Sequence, residues 1–222
     1  KLRFKRYRMQ SKIILLTTAI LIFVPAIFFF VCDFGQVSIG KRTLLSLFQS
    51  VTTRTAGFNT ADLSSMTEVG QAIMILLMLM GGSPSSTAGG MKTTTVAVLL
   101  LNAFATFRSR EDAGAFGRRF DSQVIKNAAT IAMLYFVLFF FGGITISVYE
   151  GLSLQLCLYE AASAVGTVGL TLGITPGLHI LSRLILIVLM YLGRVGGLTL
   201  IYAVVSRGNT NAKMPLEKIT VG

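Results

Sequence analysis

The sequence predicts an all-α membrane protein built from two parallel repeats, each a long helix, a short helix, a Thr/Gly-rich stretch and a second crossing. Three observations carry this. The 222 residues are 53% hydrophobic and only 13% charged, whereas a soluble domain carries about a quarter charged residues. The basic residues gather beside apolar runs. The order of elements occurs twice: a shift of 112 residues lays Ile13 on Ile125, Ser50 on Ala162 and Gly81 on Gly193. A fixed-period repeat dictates architecture, and an even number of crossings in each copy makes the two copies parallel, about an axis along the membrane normal.

The net charge of +11 would suggest nucleic acid in a soluble chain, but its placement excludes that reading. Lys1, Arg3, Lys5, Arg6, Arg8 and Lys12 precede the first apolar run. Arg108, Arg110, Arg118, Arg119 and Lys126 crowd the central polar loop, and Arg207, Lys213 and Lys218 follow the last run. Basic clusters against apolar segments mark cytoplasmic flanks and meet lipid headgroups. Residues 1–12, 108–123 and 206–222 are therefore expected in the cytoplasm. Asp33, Asp62, Glu68 and Glu150 fall in the intervening segments, expected outside. Cys32 and Cys157 are too few for a disulfide framework. The basic start followed by an apolar run resembles a signal peptide only weakly, since Phe28, Phe29 and Phe30 offer no small-residue cleavage site. The chain begins at Lys1, so a segment of a longer protein is expected.

In the first repeat, residues 13–107, the run 13–31 is long enough to cross about 30 Å of hydrocarbon, with Pro25 as a point of kinking. Residues 41–51 form a short helix that cannot span. Thr52-Thr53-Arg54-Thr55-Ala56-Gly57-Phe58-Asn59 is polar and irregular. Residues 69–80 are apolar but half a span long. They run into Gly81-Gly82-Ser83-Pro84-Ser85-Ser86-Thr87-Ala88-Gly89-Gly90-Met91-Lys92, which no helix survives, and the apolar pattern resumes over 93–107. This reads as one crossing with a broken middle. In the second repeat, residues 124–205, a span over 127–148 precedes a short helix over 153–163. Val165-Gly166-Thr167-Val168-Gly169-Leu170 follows, and a last span over 179–205 carries Arg194 among Gly193, Gly196 and Gly197.

Irregular backbone at membrane depth is tolerated only where protein shields it or it lines water. A short re-entrant helix brings the negative end of its dipole there, and carbonyls beyond it can replace the hydration shell of a cation. Thr-x-Gly followed by a bulky apolar residue occurs after both short helices. Gly57 and Gly169 permit backbone angles other residues resist, while Thr55 and Thr167 add hydroxyl oxygens able to face an ion. Arg194, a charge at mid-span, requires a cavity or a partner. Glu160 stands late in the second short helix, either aiding cations directly or holding the adjacent loop by hydrogen bonds.

These segments resemble the KtrB/TrkH/HKT superfamily of potassium transporters, KtrB-like subunits above all, and the resemblance covers essentially the whole chain. It implies potassium-channel-like helix–pore-helix–helix repeats, four to a pore, of which this chain carries the last two; the N-terminal half of the same protein would supply the others. By resemblance Gly57 and Gly169 are filter glycines, Thr55, Ala56, Thr167 and Val168 coordinate potassium, and 81–92 is an intramembrane gating loop steadied by Arg194 in the pore. Potassium is then the transported ion, with no cofactor bound by this chain. The resemblance further implies a multi-pass protein of a bacterial plasma membrane, a homodimer, and a cytosolic nucleotide-binding ring of the KtrA type.

Two other functions fit parts of the pattern. An intramembrane hydrolase using Ser83, Ser85 or Ser86 needs a base within reach, and His179, the only histidine, stands at the far boundary of its span. A non-conducting scaffold subunit needs no filter. Gly35 to Lys41 spells Gly-x-x-x-x-Gly-Lys, but Arg42 replaces the Ser or Thr and an apolar span precedes it, which argues against a phosphate loop. Lys92 reads either as a residue snorkelling to the cytoplasmic surface or as one entering the pore.

Overall fold

The computed structural model describes residues 7–110 and 112–196. Lys1, Arg3, Lys5 and Arg6, Gly197, the continuation of the last span to Val205, and the tail 206–222 with its basic residues lie outside the described residues. The order is α1 (Met9–Cys32), α2 (Ile39–Thr52), α3 (Glu68–Leu79), α4 (Thr93–Phe107), a hairpin of β1 (Gly114–Ala115) and β2 (Arg118–Arg119), α5 (Ser122–Glu150), α6 (Leu154–Val165), a 3-10 turn at Thr175–Gly177, and α7 (Ile180–Val195).

Length separates the helices into two kinds. The 24 residues of α1 and 29 of α5 rise about 36 and 44 Å, enough to cross a hydrocarbon core of about 30 Å. Their surfaces fit lipid: Leu16, Phe23, Ile27, Phe136, Phe141 and Val148 are all exposed. Helix α1 continues through Pro25. Helices α2 and α6 are 14 and 12 residues long and cannot cross. The spacing that lays Thr55 on Thr167 also lays Glu68, the first residue of α3, on Ile180, the first of α7.

The 12-residue α3 and 15-residue α4 are joined without a reversal. Met80 and Met91 form a parallel bridge: the Gly81 amide donates to the Met91 carbonyl at 2.8 Å and the Met91 amide to the Leu79 carbonyl at 3.0 Å. The chain therefore passes Met91 in the direction in which it passed Met80, and residues between them bulge sideways.

Helix α6 is the centre of the packing. It contacts α3, α5 and α7, and its residues from Tyr159 to Val165 are all buried. Small side chains permit this closeness. At Gly193 of α7 an added methyl would stand 2.0 Å from the Val165 carbonyl oxygen, and the Tyr135 hydroxyl of α5 donates to the Gly193 carbonyl at 3.2 Å. The three helices are thus pinned at one level.

Two local features depart from the sequence reading. Helix α5 starts at Ser122, five residues before the apolar pattern, because the Asp121 side chain accepts from the Gln123 amide at 3.0 Å and caps it. The central basic loop carries a two-residue hairpin whose tip, Phe116-Gly117, has positive φ at both positions, the geometry that matches strand twist. Phenylalanine hides that turn from a search for Asn-Gly or Asp-Gly.

Gly193→Ala in the full-length parent is expected to lower stability by roughly 1–3 kcal/mol, the scale of core overpacking. Gly40→Ala, where an added methyl meets open space, is the control. Thermal unfolding in detergent checks it: equal melting temperatures for the two variants would remove the pinning role of Gly193.

Candidate functional site

The two Thr-x-Gly segments share an unusual backbone. Thr55 has φ +67° and Gly57 +76°; Thr167 has +51° and Gly169 +94°. Alternate residues are therefore left-handed in both segments. For a threonine this costs about 1–2 kcal/mol, and such strain persists only where its surroundings enforce it.

The enforcement comes from N–H groups claimed by the preceding helix. The Ala56 and Gly57 amides both donate to the Thr52 carbonyl, at 3.1 and 3.0 Å, and the Thr52 hydroxyl donates to the Phe58 carbonyl at 2.7 Å. In the second segment the Thr167 amide donates to the Ala164 carbonyl and the Val168 amide to the Ser163 carbonyl, at 3.0 and 2.9 Å; the Gly169 amide donates to the Ser163 hydroxyl at 3.1 Å. The carbonyls of Thr55, Ala56, Gly57, Thr167, Val168 and Gly169 accept no hydrogen bond among the described residues. Six oxygens are left free beyond the negative ends of two short helices.

The segments meet. A methyl added to Gly57 would stand 2.0 Å from the Val168 carbonyl oxygen and 3.8 Å from the Gly169 Cα. Gly169 itself faces open space. A cavity of about 430 Å³ adjoins the second segment, lined by Glu160, Ser163, Thr167 to Thr171, Thr175 and residues of α7. Of the flanking residues, Thr53, Val165, Gly166 and Leu170 are buried, Arg54 is half-buried with its Nε unpartnered, and Phe58 and Asn59 are exposed.

The glycine-rich bulge 81–92 lies against this junction. A methyl on Gly89 would meet the Thr167 side chain at 2.3 Å, and Gly81 packs on the Gly89 carbonyl. Two cations hold the bulge. Lys92 donates to the carbonyls of Ser86 and Ala88 at 3.2 and 2.6 Å, and Arg194 to that of Thr87 at 2.5 Å. Three consecutive carbonyls are thus clasped by positive charge. Lys92 turns back onto its own loop, the alternative that neither sequence reading of it contained. Of the remaining loop positions, the Ser86 amide closes a turn onto the Ser83 carbonyl at 3.1 Å around Pro84, and Ser85 and Gly90 carry positive φ.

Residues 3–212 match the family described as TrkH, cation transport protein. The chain belongs to the TrkH family. It is 35% identical over 99% of its length to the potassium/sodium uptake protein NtpJ of Enterococcus hirae, covering 51% of that protein. It is 32% identical over 99% of its length to the Ktr system potassium uptake protein B of Bacillus subtilis, again covering 51%. The potassium transporter TrkH from Vibrio parahaemolyticus superposes with a TM-score of 0.70 at 20% identity, over 88% of this chain and 44% of that one, and shows the fold. The chain spans about half the length of the curated relatives it matches.

The TrkH family is one of transport proteins and not of enzymes. His179 precedes α7 and meets Tyr149 edge to face, ring centroids 5.8 Å apart, while Ser83, Ser85 and Ser86 lie in the bulge held from the other end of that helix, about 22 Å away along 15 residues. Cys32 and Cys157 are both free thiols. Among the described residues no His, Cys, Asp and Glu cluster could hold a metal. Beyond the first segment, Asp62 is held below the ordinary carboxyl range by the Ser64 hydroxyl and amide.

Sequence reasoning left Glu160 open and missed its partners. Its carboxylate accepts from the Thr171 hydroxyl at 2.5 Å, the Leu172 amide at 3.2 Å and the Thr175 hydroxyl at 2.8 Å. Threonines eleven and fifteen residues downstream give no local signal of that pairing. Of the residues that order the free carbonyls, Ser163 reads in sequence as an ordinary residue of the short helix and Thr52 as the start of the irregular stretch.

Arg194→Ala is expected to loosen the bulge. In the full-length parent made cysteine-free, a single cysteine at Ser85 should react with a soluble thiol reagent roughly tenfold faster in that background, the equivalent of a charge-assisted hydrogen bond of about 1.5 kcal/mol. An unchanged rate would show that Lys92 alone holds the loop.

Proposed function

We propose that this chain forms half of a potassium-translocating pore. It supplies two parallel, potassium-channel-like helix–pore-helix–helix repeats, with α2 and α6 as pore helices, the bulged α3–α4 unit as one crossing, and the missing half coming from the N-terminal part of the same protein. The Thr-x-Gly segments are its share of the selectivity filter, and Thr55, Ala56, Gly57, Thr167, Val168 and Gly169 coordinate the dehydrated ion. The observation that carries this reading is the pair of touching segments with alternate left-handed residues and six unclaimed carbonyls. Carbonyls with no donor of their own at membrane depth are costly, and a potassium ion stripped of water is what satisfies them. The names of the relatives, potassium uptake and potassium/sodium uptake proteins, support the ion class.

The bulge 81–92 is the gate. It lies under Thr167 and is bound by Lys92 and Arg194, whose fixed charges repel a cation until the loop or water screens them. The same reading places a multi-pass protein in a bacterial plasma membrane, with residues 1–12, 108–123 and 206–222 cytoplasmic. It gives a homodimer seated on a KtrA-like nucleotide-binding ring that docks on the central loop and tail.

The test is rubidium uptake by the full-length parent in cells lacking other uptake systems, with sodium as competitor. Gly169→Ser places a side chain on a φ of +94° and is expected to reduce the rubidium-over-sodium preference by roughly tenfold, about 1.4 kcal/mol. Unchanged uptake and preference would refute the filter; an equally high sodium flux in the unaltered parent would make it a general monovalent cation path.

A further inference from the structure

The cavity beside the second Thr-x-Gly segment contains a carboxylate that the proposed pathway does not use. Glu160 is 4% exposed, and a buried carboxylate is tolerated only where charge or hydrogen bonds answer it. Its three partners are all neutral: the Thr171 and Thr175 hydroxyls and the Leu172 amide. The ion pair within 4 Å found among the described residues is Arg119–Asp112, on the far hairpin. No cationic side chain among those residues is paired with Glu160, the seventh of the twelve residues of α6.

The partners of Glu160 define what it holds. Thr171 follows Leu170 directly; its hydroxyl lies 3.0 Å from that of Thr175 and accepts from the Gly173 amide at 2.9 Å. The chain from Thr171 to Thr175 thus wraps the carboxylate, while Ser163, one turn further along α6, holds the Gly169 amide. One face of one helix thus holds the strand among its free carbonyls, at Gly169, and beyond them, at Thr171 and Thr175. The first repeat lacks this device: the position 112 residues before Glu160 is Phe48, and Phe58 and Asn59, which continue that strand, are exposed.

We propose that Glu160 is a positioning residue that sets the preference between monovalent cations. By anchoring 171–175 it fixes the spacing of the Thr167, Val168 and Gly169 carbonyls, and Glu160 itself lines the same cavity. A ring of rigid, closely held carbonyls discriminates ions of different radius; a strand free on one side adapts to both. This inference rests on the filter reading above, so the experiment carries an arm for each.

Rubidium uptake, sodium competition and membrane abundance are measured for the full-length parent and for Glu160→Gln, Thr171→Val, Thr171→Ser and Gly169→Ser. Glu160→Gln keeps the shape but turns one acceptor into a donor; Thr171→Val removes one hydroxyl and no charge; Thr171→Ser retains it. The expected result is a several-fold loss of rubidium preference in Glu160→Gln and Thr171→Val at normal abundance, with Thr171→Ser like the parent. A structural role alone would lower abundance or scale all fluxes together, leaving the preference unchanged, and that outcome overturns the proposal. Should Glu160→Gln fail to reach the membrane, the contrast between Thr171→Val and Thr171→Ser decides: equal preferences overturn it. If Gly169→Ser shifts preference and the others do not, this inference fails alone. If Gly169→Ser does nothing, the filter reading fails with it.

Discussion

The arrangement depends on which way a few backbone N–H groups point. Every peptide unit carries one donor and one strong acceptor. Once the amides of Ala56, Gly57, Thr167, Val168 and Gly169 are taken by Thr52, Ala164 and Ser163, the carbonyls between them have nothing of their own to bind. Left-handed φ at alternate residues is the conformation that lets the chain keep those bonds while advancing. The strain at Thr55 and Thr167 is offset by the bonds that impose it.

That local geometry needs a rigid base, which α6 provides. Its buried run of small residues lets Gly193 reach the Val165 carbonyl and lets α3 and α5 close on the other sides. Larger residues would move α7 outward, and Arg194, one residue beyond Gly193, would no longer reach Thr87. Helix packing and the clasp on the bulge are therefore one mechanical unit. In the proposed pathway this links the gate to the strand it blocks, since Gly89 rests on Thr167.

The two halves of the chain are alike in order and unlike in anchoring. Both have a short helix followed by a Thr-x-Gly turn, but only the second is tied beyond the turn by a buried carboxylate. The first is closed by the Thr52 hydroxyl on the Phe58 carbonyl, and Phe58, Asn59 and Thr60 are exposed. The two strands share alternate left-handed residues and differ in what holds them.

The sequence by itself determined membrane character, the order of helices, the break at 81–92 and the candidate Thr-x-Gly glycines. Apolar run length, glycine content and repeat spacing are properties of neighbouring residues, and neighbours fix them. Even there, Asp121 moved the start of α5 and Phe116-Gly117 concealed a hairpin, because a cap and a turn rest on one or two atoms and not on composition. Only the tertiary structure decided that Lys92 folds onto Ser86 and Ala88, that Arg194 takes Thr87, and that Glu160 holds Thr171 and Thr175. Such pairings depend on where helices packed by Gly193 and Val165 bring distant side chains, and hydrogen bonds effective over about 3 Å leave no trace in residue order.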